Sequence, residues 1–72
     1  MKRMLAEVER NGEVLILDDE SRWAVSPSDM PTVCTWTPTA ALETRKSKSG
    51  GMYSYRVLNR GIGVVAWARP LT

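Results

Sequence analysis

From Val14 to Trp36 the chain reads VLILDDESRWAVSPSDMPTVCTW. This is an apolar run, an acidic turn, a second apolar run, a proline-rich connection and a third apolar run. Short apolar runs bounded by turn formers predict a meander of β-strands and leave no space for a long helix. A first strand over Arg3 to Arg10 meets Asn11-Gly12, a pair suited to a two-residue type I′ hairpin turn. That turn sets the register Arg10 opposite Glu13, Glu9 opposite Val14, Val8 opposite Leu15, Glu7 opposite Ile16 and Ala6 opposite Leu17. Met4, Ala6, Val8, Leu15 and Leu17 then share one face, and a slip by one residue would bury Glu7 and Glu9. Strand two is apolar on both faces, which suits a strand bent into a small barrel.

Asp18-Asp19-Glu20-Ser21 makes the next turn, with side chains suited to bonding nearby backbone amides. Strand three runs from Arg22 to Val25. Pro27 and Pro31 forbid its continuation, and a 3₁₀ turn fits Ser26 to Pro31. Thr32 to Thr37, rich in β-branched and aromatic residues and containing Cys34, reads as a fourth strand ended by Pro38. One helical turn over Thr39 to Leu42 and a short strand over Leu42 to Lys46 lead to the loop Ser47-Lys48-Ser49-Gly50-Gly51. Strand five, Met52 to Leu58, alternates Tyr53, Tyr55 and Val57 against Met52, Ser54, Arg56 and Leu58. After an Asn59-Arg60-Gly61 turn, strand six runs from Ile62 to Arg69, and Pro70 marks it as an edge. Residues 1–72 therefore form one all-β domain, a small SH3-like barrel of five or six short antiparallel strands. An OB barrel is less suited, because no segment offers the helix between its strands.

A chain of 72 residues buries only about 60% of its unfolded surface, so its core is small. A disulfide cannot reinforce it, because Cys34 is the single cysteine, and the absence of histidine removes the commonest zinc ligand. Three tryptophans and two tyrosines must supply the burial, or the chain must self-associate as a homodimer. The basic start lacks the apolar segment of a signal peptide, since Glu7, Glu9 and Arg10 interrupt it, and no window is apolar enough for a membrane span. With a free thiol, these features place the protein in the cytoplasm, away from membranes.

The net charge of +2 conceals a division. Seven of eight acids lie between Glu7 and Asp29, whereas six bases and no acid follow from Arg45 onward. The simplest expectation is that the two halves pair across the sheet and neutralise each other.

Candidate chemistry is sparse. Asp18, Asp19 and Glu20 lack the spread of oxygen ligands in a calcium loop and read as a solvated turn. Cys34 has no histidine to activate it and reads as a buried structural thiol. Ser26, Ser28 and Ser54 lack an activating histidine as well. These observations predict a protein that is not an enzyme and uses no cofactor or metal.

Two binding surfaces remain. If the small residues Ala66 and Ala68 face inward, Trp67 is left outside with Arg69, and with Tyr55 it makes an aromatic protein interface. Alternatively, Arg45, Lys46, Lys48 and Arg56 beside Tyr53 can hold a nucleic acid, with phosphates on the cations and bases on the rings. Against the second, a domain without phenylalanine needs its tyrosines in the core. The first reading leads: a small interaction module for a protein partner or a second copy of itself.

The run LDDESRWAVSPSDMP, with Trp36-Thr37-Pro38 after it, resembles short bacterial proteins of unknown function. Their pattern is L-x-D-G-S-x-W-x-V-x-P, then W-x-P-G-D, then a tyrosine-containing strand ending in an asparagine turn. The resemblance spans Leu17 to about Ala68. This chain departs from it at Glu20, where the pattern has glycine, and at Thr39-Ala40, where it has Gly-Asp. The resemblance implies a small β domain and no particular activity.

Overall fold

The computed structural model describes residues 2–48 and 51–71. Six strands, β1 (Lys2–Glu9), β2 (Val14–Leu17), β3 (Arg22–Val25), β4 (Ala41–Lys46), β5 (Tyr55–Asn59) and β6 (Val64–Pro70), form a closed antiparallel barrel. The neighbour order is β1-β2-β3-β6-β5-β4, with β4 returning to β1. Two three-stranded meanders thus meet along two seams, β1 with β4 and β3 with β6. The class is the expected one, an all-β barrel of SH3-like size. Because β6 pairs with both β3 and β5, it is a wall of the barrel and not an edge, a correction to the reading of Pro70. Closure protects backbone groups that an open sheet would expose. Among the described residues no helix is long and apolar enough to cross a membrane.

The first hairpin holds the predicted register at Glu9–Val14, Val8–Leu15 and Glu7–Ile16, then shifts so that Leu5 opposes Leu17. Ala6 is the extra residue of this β-bulge. An unbulged strand would carry Ala6 inward and Leu5 outward. The bulge instead buries Leu5 to 2% exposure and leaves Met4 48% exposed, so the larger aliphatic side chain fills the core while Glu7 stays exposed. The turn is also not the plain type I′ expected. Arg10, Asn11 and Gly12 all have positive φ, at 52°, 57° and 99°.

Between β3 and β4 the chain makes a 3₁₀ turn at Pro27–Asp29, as expected, and then one turn of α-helix, α1 (Met30–Val33). Here the predicted fourth strand over Thr32 to Thr37 is wrong. Val33 and Trp36, three residues apart, are both buried, whereas Cys34 and Thr35 between them are exposed. That is helical spacing, and it lets both side chains join the core cluster with Leu15, Leu17 and Leu42. Cys34 is therefore not the buried thiol expected: it is exposed, and its Sγ donates to the Pro31 carbonyl oxygen at 3.1 Å. The helix packs against the Arg10–Gly12 turn so closely that a Cβ on Gly12 would overlap the Met30 carbonyl oxygen.

The turn before β3 is tied to the core. Ser21 N–H and Oγ–H both donate to Asp19 Oδ1, at 3.0 and 2.6 Å, and Trp23 Nε1–H donates to Ser21 Oγ at 2.9 Å. The Arg3 guanidinium lies 3.2 Å from Asp19 Oδ2. The Ser21 hydrogen bonds, aided by the Arg3 charge, hold the Asp19 carboxyl below its ordinary range. The acidic run is thus engaged in making a turn, and no group of three metal-ligating side chains occurs among the described residues. Glu20 and Thr39 both adopt left-handed backbone, with φ of 69° and 73°.

Candidate functional site

Alternation in the second meander decides which side chains face outward. Leu42 and Thr44 of β4, Val57 and Asn59 of β5, and Ala66 and Ala68 of β6 are buried. Their neighbours therefore point away from the barrel. Register then aligns these neighbours in two rows across the strands. Arg45 pairs with Arg56, and Arg56 with Trp67; Glu43 pairs with Leu58, and Leu58 with Val65. Glu43, Arg45, Arg56, Leu58 and Val65, with Arg60 from the following turn, line an open depression of about 430 Å³. Val65 is 43% exposed there, which gives a basic surface an apolar centre.

The electrostatics of the face are one-sided. Arg45 Nε donates to Glu43 Oε2 at 2.8 Å. That hydrogen bond, with the charges of Arg45 and Arg60, holds Glu43 below the ordinary carboxylate range. Glu43 is thus a charged, engaged partner, and Arg56 stands exposed with no carboxylate in ion-pairing reach among the described residues.

Trp67 is half-buried on the outer side of β6, as the inward placement of Ala66 and Ala68 requires. Its backbone is fixed from the far side. Trp67 N–H donates to Asp29 Oδ2 at 2.9 Å, and Ser26 N–H donates to the Trp67 carbonyl at 2.8 Å. Ser26 and the 3₁₀ turn at Pro27–Asp29 thus supply the hydrogen bonds that β3, ending at Val25, cannot. Arg69 lies two residues on, half-buried, with its Nε shielded and without a hydrogen-bond partner among the described residues.

The other expected site residues are dispersed. Tyr55 is separated from Trp67. It packs edge-on against the buried Trp23, with ring centroids 5.0 Å apart and planes at 72°, and it belongs with the core. Lys46 opposes Tyr55 at the exposed end of β4, and so has the strand parity opposite to Arg45. Lys48 is exposed beyond that strand, and Tyr53 is half-buried before β5. Ser49 and Gly50 of the connecting loop lie outside the described residues. The nucleic-acid grouping therefore reduces to Arg45 and Arg56 on this face, without a tyrosine beside them. Arg60 and Leu58 are not among the residues expected at this face, whereas Val65 is expected to share the outward face with Trp67. Alternation around Ala66 and Ala68 could place Val65 with Trp67, but only the β4–β5 register brings them to Arg45 and Arg56.

The two sequence halves do not neutralise each other. Residues 1–40 carry four bases and seven acids, residues 41–72 six bases and one acid, and each set belongs to its own meander. The ion pairs Arg3–Asp19, Arg22–Glu9 and Arg45–Glu43 each join residues of the same half. The division of charge along the sequence is thus a division between two walls of the barrel.

Comparison of the chain with family models, with curated proteins and with solved structures yields no match.

Proposed function

We propose that this protein is a non-catalytic interaction module that binds a protein partner through the outer face of β4, β5 and β6. The observation that carries this reading is the row Arg45–Arg56–Trp67 beside a depression in which Val65 is exposed. Arginine and tryptophan around an apolar centre are the residues enriched where protein interfaces gain most of their affinity. Trp67 is suited to this role because the hydrogen bonds from Ser26 and to Asp29 immobilise its backbone, so little order is lost on binding. A single free thiol agrees with a small protein of a reducing cytoplasm.

The adjacency of Arg45 and Arg56 supports nucleic-acid binding as the second reading. It is weaker, because Tyr55 is turned into the core and Trp67 is the only ring on the face among the described residues, whereas single strands are held by several stacked bases. Capture of cell proteins by the wild type, Arg56→Glu and Val65→Asp tests the first reading, with circular dichroism confirming that each variant folds. Partners held by the wild type and lost by both variants are expected. Capture indifferent to both variants would refute this face as the site. Mass in solution identifies a second copy as the partner, if dimers form and both variants abolish them.

A further inference from the structure

Resting on the outer face of β4–β6 as the binding surface, we propose that its occupant is an acidic polypeptide segment carrying an apolar side chain between carboxylates. Shape and charge both lead there. The depression is open, and its apolar element, Leu58 and Val65, lies in one row, between Arg56 on the neighbouring row and Arg60 in the following turn. An apolar side chain set on Val65 would therefore have guanidinium groups on either side of it. The one carboxylate lining the depression among the described residues, Glu43, is already held by Arg45, so it offers little to a cationic partner, while exposed Arg56 is free to take a carboxylate in bidentate fashion. The whole wall reinforces this, with six bases against one acid in residues 41–72, a field that speeds the approach of an anion and repels a cation.

Nucleic acid shares the negative charge but not the apolar requirement. Phosphate recognition would make no use of Val65, and stacking of successive bases would call for more rings than Trp67, while Tyr55 packs with the core. The chemistry that uses both the apolar row and the arginines beside it is a carboxylate-flanked aliphatic or aromatic residue.

Three synthetic peptides of equal length test this on the full chain: leucine flanked by glutamates, leucine flanked by lysines, and serine flanked by glutamates. A single-stranded oligonucleotide of matching charge is the fourth probe, and binding is read by fluorescence anisotropy. The glutamate–leucine peptide is expected to bind at least about tenfold more tightly than the other two peptides and the oligonucleotide. It should weaken about tenfold or more on Arg56→Glu, and weaken between about 50 and 200 mM salt. Equal or tighter binding of the lysine–leucine peptide, lost on Val65→Asp, would overturn the acidic partner while leaving the face as the binding surface. Equal binding of the serine peptide would overturn the apolar requirement. Tighter binding of the oligonucleotide, lost on Arg56→Glu, would replace the polypeptide with nucleic acid. No binding of the glutamate–leucine peptide, or binding unchanged by Arg56→Glu and Val65→Asp, would overturn the inference. The protein-binding face itself then stands or falls separately on the capture experiment with those variants.

Discussion

Thr39→Gly should stabilise this protein, against the usual result of placing glycine in a folded chain. Thr39 sits at φ 73° with its side chain exposed. A β-branched residue is among the least suited to that region. Left-handed backbone costs a residue with a Cβ roughly 1–2 kcal/mol, and glycine avoids that cost. Glycine also makes the unfolded chain freer, which takes back about 0.4–1 kcal/mol. The backbone bond from Thr39 N–H to the Leu5 carbonyl, 2.7 Å, survives the change. The net expectation is about 0.5–1 kcal/mol of added stability. In a domain of this size that corresponds to a rise in Tm of about 3–6 °C. Urea unfolding followed by tryptophan fluorescence should show a higher midpoint with an unchanged slope. Glu13→Gly is the control, since Glu13 is exposed at φ −69° and glycine there adds only unfolded-state freedom. If Thr39→Gly lowered the midpoint as much as Glu13→Gly does, the left-handed cost would not be stored at Thr39 and the reasoning would fail.

Gly12→Ala should have a large opposite effect of about 3 kcal/mol or more, because the Cβ overlaps the Met30 backbone at φ 99°; a denaturation midpoint within error of wild type would refute it. Asp29→Ala leaves the Trp67 N–H without its acceptor and should cost about 1–3 kcal/mol, with faster hydrogen exchange at the Trp67 amide, while Asp29→Asn, which keeps an acceptor oxygen, should lose less. Acid should also destabilise the fold. Asp19 and Glu43 titrate lower when folded, so their contribution is complete above the unfolded carboxylate range and disappears as pH falls through the lowered folded values. Carboxyl chemical shifts across that range would show it, and Ser21→Ala should raise the Asp19 midpoint.

Much of this fold was legible because turns and alternation act locally. The Asn11-Gly12 hairpin, the strand from Arg22 to Val25 and the turn at Pro27 follow from residues close in sequence. The bulge at Ala6 was not legible, because it arises from a competition between Leu5 and Met4 for a core that the far meander completes. The stretch Thr32 to Thr37 misled for a related reason. Its β-branched residues favour a strand, but Pro31 suits a helix start, and the Val33 and Trp36 spacing places both in the core only if the chain coils there. The candidate site was half legible. Alternation put Trp67 outside, but the partnership of Arg45 and Arg56 with it depends on strand pairing across a loop whose length fixes no register. Tyr55 was misplaced because its edge-on contact is with Trp23, a residue from the other meander.

The uneven division of charge, with an acidic excess in residues 1–40 and a basic excess in residues 41–72, gives this nearly neutral molecule a permanent dipole. Near a negatively charged surface it orients before it touches, presenting β4–β6 and holding β1–β3 away. At low ionic strength it can therefore be retained by anionic and cationic resins alike, through different sides, although its net charge is only +2.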